Sequence, residues 1–242
     1  MDVSSSDYSP SASAKVDVAS KIWHAYNAPD SALPFVVPLV FWTATWLYYR
    51  WLTKRDFAKF YAIHTLHHVV AILLGSISLY VDDNSIFHER IGILFSMPYF
   101  IVDILDCLSM GHFLYILHGA ICLGLGLCNY HIPLLMQLRM NSKAVYIESS
   151  SILLYQVKQK RNATLFAAFA LNYTLCRIVW IPIMGKQLWD HGLEWHHPIM
   201  LALMAFYGLQ INWWIKILHI VIHGDGKKSN KNETNGEAKK KE

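Results

Sequence analysis

The sequence predicts an all-α membrane protein of six to seven transmembrane helices, and three observations predict it: an apolar composition, the length of its apolar runs and the placement of its charges. Hydrophobic residues fill 54% of the 242 positions and charged residues 16%, against roughly 25% charged in an average soluble domain. Six runs, at 33–52, 60–81, 91–110, 112–130, 163–183 and 197–222, reach or approach the roughly 20 residues that a helix needs to cross a hydrocarbon core. That pattern excludes a sizeable soluble domain. It divides the chain into a polar N-terminal tail at 1–32, a membrane domain at 33–222 and a solvated, disordered Lys-rich tail at 223–242.

The connections fix the order of crossings. Arg50, Lys54, Arg55 and Lys59 join the first two runs, and Asp82, Asp83 and Glu89 join the second and third. After the fourth run comes 133–157, an apolar segment diluted by Arg139, Lys143, Glu148 and the consecutive serines Ser149, Ser150 and Ser151. Lys158, Lys160 and Arg161 follow it, Asp190 and Glu194 separate the last two runs, and a lysine cluster ends the chain. Cytoplasmic loops carry an excess of Lys and Arg. With six crossings the basic clusters fall on both sides; with seven they all fall on one. Segment 133–157 is therefore expected to cross, with the N-terminus outside, the C-terminus cytoplasmic and its charges turned into the bundle, because they cannot face lipid.

The N-terminus lacks the basic and then apolar regions of a cleavable signal peptide, so the first helix is expected to direct insertion. Lys239 and Lys240 stand fourth and third from the end, a dilysine address for the endoplasmic reticulum that is read on cytoplasmic tails. The sequons at Asn162, Asn172 and Asn232 fall in membrane or cytoplasm on this topology and are expected to stay unglycosylated. Cys107, Cys122, Cys128 and Cys176 lie in apolar runs without metal-site spacing and read as free thiols. Trp42, Trp46, Tyr48, Tyr49, Trp51, Trp189, Trp195, Trp213 and Trp214 read as interfacial anchors.

Ionisable side chains inside a membrane are costly and mark a site unless they are paired structurally. Five stand in the predicted helices: His67, Asp103, His118, Glu148 and Arg177, with Asp106 as a second carboxylate. Counted from the cytoplasmic ends at about 1.5 Å per residue, the first four lie roughly 9 to 14 Å deep and Arg177 nearer 22 Å. Two imidazoles and two carboxylates in one layer suit general-base or nucleophilic chemistry. Interhelical hydrogen bonding is the plainer reading of each residue alone, and for Arg177 it is preferred, with Glu148 or a backbone carbonyl as partner. Gly119, Gly124 and Gly126 read as close-packing positions that also leave room for a ligand.

A second pattern is His64, His67 and His68, an HxxHH spacing used by membrane di-iron hydroxylases and desaturases, with His219 and His223 at HxxxH spacing. A third box from His191, His196 and His197 has the wrong spacing and falls on the opposite side, and imidazoles split across a bilayer cannot share one metal pair. A histidine-box di-iron lipid hydroxylase or desaturase stays as a further alternative; apart from it, no metal site, nucleic-acid partner or resident cofactor is expected.

Several segments carry a family resemblance: His67-His68-Val69-Val70-Ala71 through Leu79-Tyr80-Val81-Asp82, Pro98-Tyr99-Phe100-Ile101-Val102-Asp103, Leu117-His118-Gly119, Tyr146-Ile147-Glu148-Ser149-Ser150-Ser151 and Leu175-Cys176-Arg177-Ile178-Val179. In order and spacing they resemble the TLC-domain proteins, which include the ceramide synthases, and the chain looks closest to the short members of regulatory or unassigned function. The resemblance implies a TLC-type bundle around a lipid-sized, polar-bottomed cavity, with the family's His and Asp mapping onto His118 and Asp103 as catalytic residues; the ionisable residues of the predicted helices add His67, Glu148, Arg177 and Asp106 in support. It implies membrane lipids as partners and two open functions: lipid binding in membrane lipid homeostasis, or an acyltransferase that joins a fatty acyl group from acyl-CoA as co-substrate to a lipid amine. Ceramide synthases carry a His-His pair where this chain has His118-Gly119, a departure that weakens the enzymatic reading.

Overall fold

The structure, a computed structural model, describes residues 20–28, 30–52, 57–160 and 162–224. The basic residues Lys54, Arg55 and Arg161, residues 1–19 and the dilysine tail lie outside the described residues, as does the Asn232 sequon. Every regular element among the described residues is helical. Helix α1 covers 20–27. It is followed by α2 (Leu33–Leu47) with a π-helical turn (Tyr48–Leu52), α3 (Phe57–Val81), α4 (Arg90–Met110) and α5 (Phe113–His131). Then come α6 (Pro133–Gln137), α7 (Met140–Ala144), a 3-10 turn (Val145–Glu148) and α8 (Ser149–Gln159). Finally α9 (Ala163–Tyr173) runs through a π-helical stretch (Thr174–Val179) into α10 (Trp180–Asp190), and α11 (Pro198–His223) closes the fold.

Five helices among the described residues are long and apolar enough to cross a membrane: Tyr61–Val81, Arg90–Met110, Phe113–His131, Ala163–Asp190 and Pro198–His223. They coincide with five of the six expected runs, and their length and composition fit a multi-pass membrane protein. Local chemistry sets their limits. Pro198 opens α11 where no backbone N–H is needed, and Gly111 at φ 70° ends α4 in the left-handed conformation that favours glycine. Asn162 caps α9 by accepting from Thr164 N at 2.8 Å.

Segment 133–159 is not one rod. Arg139 at φ 50° breaks it between α6 and α7, and a 3-10 turn separates α7 from α8. Even so it lies antiparallel along α3. Arg139 Nη1 donates to Ser78 Oγ at 2.7 Å, Tyr146 and Ser76 hydroxyls meet at 2.9 Å, and His68 Nδ1 lies 3.0 Å from Glu148 Oε2. Tyr155 then stacks on Tyr61 at 5.3 Å, and Lys158 Nζ lies 5.7 Å from the Tyr61 ring centroid. This ladder from 139 to 158 follows α3 for about 25 Å. Gly75 permits it, because a Cβ there would come within 3.0 Å of the Ser142 carbonyl oxygen.

The polar stretch before 33 contributes structure as well as solubility. Trp23 stacks on Phe87 at 5.9 Å, and Asn27 donates to Ser85 O and accepts from His88 N, so α1 sits on the 82–89 connection. The start of α11 packs with Leu135 and Met140 at that same end, whereas Trp213 further along α11 stacks on Tyr115, in the first turn of α5 at the other end. The described chain thus enters and leaves at opposite ends of the bundle. Two expectations are corrected here. Trp42 is core rather than an anchor: it is 2% exposed, and its ring meets His67, Phe95 and Tyr99. Gly124 has open space where a side chain would stand, while Gly119 and Gly126 pack against α4 at Ile104 and Met97. The four cysteines are free, as expected.

Candidate functional site

A cavity of about 110 Å³ lies inside the bundle. Its wall is built from α3 to α7, the 3-10 turn, α10 and α11, and most of it is apolar: Ile93, Met97, Leu125, Met184, Leu203 and Phe206 are typical. The polar lining is sparse and consists of His67, Ser96, Cys122, Asn129, Asn141 and Glu148.

Glu148 and His67 tie this cavity to a buried polar network. His67 and His68 are adjacent on α3, both under 5% exposed, and their Nδ1 atoms lie 3.4 Å apart. The His67 ring lies flat against Tyr99, centroids 3.6 Å apart, while His64 Nδ1 hydrogen-bonds the Tyr99 hydroxyl. Glu148 faces His68 at 3.0 Å, accepts from Ser151 Oγ at 3.0 Å and lies 3.8 Å from Arg177 Nη2. Arg177 donates to Ser150, Ser151 and Gln210, each at 2.7 Å, and its guanidinium lies 5.3 Å from the Tyr173 ring.

Arg177 therefore shares the layer of Glu148, which the depth count had placed closer to the helix end. Counting rise along the backbone omits the reach of a long side chain, and Arg177 stands in the π-helical stretch, which departs from α-helical rise. Its expected role as interhelical glue to Glu148 matches this geometry.

Asp103 and Asp106 face a different, smaller space of about 30 Å³, shared with Trp42, Trp46, Tyr49 and His64. Asp106 is committed: it accepts from Trp46 Nε1 at 3.0 Å and from Arg50 at 3.1 Å. His118 looks elsewhere. Its ring stacks on Phe206 and meets Trp213 edge-on, its Nε2 lies 3.8 Å from Cys122 Sγ, and its Nδ1 is buried without a hydrogen-bond partner. No hydrogen bond joins His118 and Asp103 among the described residues. The neighbouring Gly119 turns to α4, where a side chain would stand 2.8 Å from Ile104 Cγ1 and 3.9 Å from Asp103 Oδ2. A second histidine at this position has no room in the present packing.

The HxxHH imidazoles do lie together, but their contacts go to Tyr99, Tyr155 and Glu148. His219 and His223 stack on each other at the exposed end of α11. Among the described residues, no group of three or more His, Cys, Asp or Glu side chains is arranged to hold a metal ion.

A second polar cluster was not anticipated. Glu89, 1% exposed, accepts from Ser78 Oγ at 2.6 Å, from Ser142 N at 2.9 Å and from Ser142 Oγ. Arg139 completes it by donating to Ser78 and to Asp82 Oδ1, the latter at 2.8 Å. Sequence reasoning missed it because Glu89 and Asp82 read as loop charges. The available signal was Gly75 with Ser76 and Ser78, small residues that let a polar segment approach α3. Comparison of the chain with family models, curated proteins and solved structures finds no significant match.

Proposed function

We propose that this chain is a TLC-type membrane protein that crosses the bilayer seven times, binds a membrane lipid in its central cavity and serves membrane lipid homeostasis. The observation that carries the reading is the cavity itself: an apolar wall around about 110 Å³, room for a short stretch of a hydrocarbon chain, met by His67 and Glu148, two residues of the segments that resemble the family. Ligand sites of this kind are mostly apolar, with a few polar groups that orient the guest. Three features support seven crossings. Segment 133–159 follows α3 for about 25 Å, close to the thickness of a hydrocarbon core. Its charged residues Arg139, Glu148 and Lys158 face α3 rather than lipid. The two ends of the described chain lie at opposite ends of the bundle, which calls for an odd number. The basic residues of the tail then favour a cytoplasmic placement of that end, and the proposed membrane is that of the endoplasmic reticulum.

The test is recovery of lipid with the protein. Purified in mild detergent, the wild type is expected to retain a lipid that is lost when Leu125→Trp fills the cavity. Equal lipid content in the two would remove the reading. Tags on the two termini should be accessible from opposite faces of sealed vesicles.

The acyltransferase reading has one observation in its favour, the buried and unpartnered Nδ1 of His118, a group able to accept a proton. Labelled acyl-CoA offered with a panel of amine and lysolipid acceptors decides it: no product from the wild type eliminates catalysis, and product abolished in a well-folded His118→Ala variant establishes it.

A further inference from the structure

The cavity wall carries four side-chain atoms that are buried without a hydrogen-bond partner: His67 Nε2, Ser96 Oγ, Asn129 Oδ1 and Asn141 Nδ2. Buried polar groups in folded proteins are nearly always satisfied, so four exceptions among the residues that line one cavity need an explanation. Their chemistry is complementary. Asn129 Nδ2 already donates to Leu125 O at 2.8 Å, which leaves its Oδ1 as an acceptor. Asn141 offers a donor, held where Gly92 makes room, since a Cβ at 92 would lie 3.1 Å from that nitrogen. Ser96 can donate or accept, as can His67 according to its tautomer.

Charge is absent from this set. The one carboxyl group on the wall, that of Glu148, is already faced by His68 and Arg177, and no Lys or Arg lines the cavity among the described residues. An anionic head would meet a carboxylate and find no cation, and a buried charge without a partner is strongly disfavoured. A cationic head would have to displace partners that Glu148 already holds.

We propose that the cavity selects an uncharged lipid whose head is a hydroxyl or an amide, groups that can both donate, as Asn129 Oδ1 requires, and accept, as Asn141 Nδ2 requires. This rests on the lipid-binding reading and specifies its ligand. Ser96 and His67 serve a second polar atom of the same head, and the apolar wall takes the chain.

The experiment uses the full chain in detergent micelles, a long-chain alcohol bearing a photoreactive diazirine in its chain, and competitors of equal length ending in an amide, a carboxylate or a plain methyl group. Cross-links are expected in peptides from α4, α5 and α7. The alcohol and amide should compete roughly tenfold better than the alkane or the carboxylate, the worth of one or two buried hydrogen bonds. Asn129→Leu with Asn141→Leu should bring the alcohol down to the level of the alkane while the alkane competes as before. Because the two atoms have no internal partner, the double variant without ligand should melt no lower than the wild type. Equal competition by all four heads overturns the head-group inference and leaves lipid binding standing. No cross-link in the cavity peptides overturns both. A double variant that melts lower without ligand overturns the inference by showing the asparagines to be structural.

Discussion

Two buried glutamates sit against the same helix, about 15 Å apart along α3, and the contrast between them separates structure from function. Glu89 is flanked by Ser78, Ser142 and the neighbouring Arg139, and no side-chain atom of those four residues is buried without a partner. Among Glu148 and its partners Ser151, His68 and Arg177, by contrast, His68 Nε2 is buried without a partner. Both clusters fasten segment 133–159 to the bundle. The first is closed on itself; the second opens on a cavity. A closed polar network holds helices together, whereas an open one keeps hydrogen-bonding capacity for something that arrives.

Removing either glutamate cluster should therefore have different consequences. Glu89→Ala leaves three donors without an acceptor in a buried place and should cost about 3–5 kcal/mol, read as a lower melting temperature in detergent with unchanged head-group selectivity of whatever lipid remains bound. Arg177→Met should cost about 2 kcal/mol and, unlike Glu89→Ala, should also disturb lipid binding, because it leaves Glu148 balanced by His68 alone. If the two variants shift selectivity equally, the distinction between closed and open clusters fails.

Gly119→His tests the site from its other side. Overpacking against Ile104 should cost about 1–3 kcal/mol, and Ile104→Ala in the same chain should restore most of the melting temperature. Recovery of stability with no acyl transfer would show that a histidine pair at 118 and 119 is not the missing element.

The smallest effect is expected on the connection that carries Glu89. Burial, then Arg90 and Arg139, lower the pKa of His88 below its ordinary 6.5, and Arg90 N donates to its Nδ1, which must be unprotonated to accept. The folded state thus favours neutral His88, so its contribution is present above about pH 6.5 and declines as the pH falls below it. A His88→Asn variant should flatten that part of the stability profile. An unchanged profile would mean that the connection tolerates the charged ring.

The two clusters also show what the sequence could disclose. Apolar run length is a local property, and the five helices long and apolar enough to cross a membrane were legible from it to within a few residues at most ends. The importance of His67, Glu148 and Arg177 was legible too, because an ionisable group among apolar neighbours is conspicuous. Partners were harder to see. His68 read as part of a metal-ligand spacing, Ser150 and Ser151 as mere dilution, and Gln210 drew no notice, although all four meet Glu148 or Arg177. Their pairing with Arg177 or, for His68, with Glu148 joins residues 26 to 80 positions apart, which leaves no trace in any short window. The opposite error befell Trp42: position near a helix end suggested an anchor, but the aromatic stack with His67 and Tyr99 draws it inward.

The broken course of 133–159 bears on how the protein is made. Entering a bilayer alone, the segment would carry Arg139, Lys143 and Glu148 into hydrocarbon, each at roughly 2.5–3.5 kcal/mol near the centre. Its relief comes from Ser76, Ser78, His68 and Glu89, which precede it in the chain. On the seven-crossing topology, α3 and α4 leave the ribosome first and stand ready as a template, so this piece of membrane protein is assembled on its neighbours rather than inserted on its own merit.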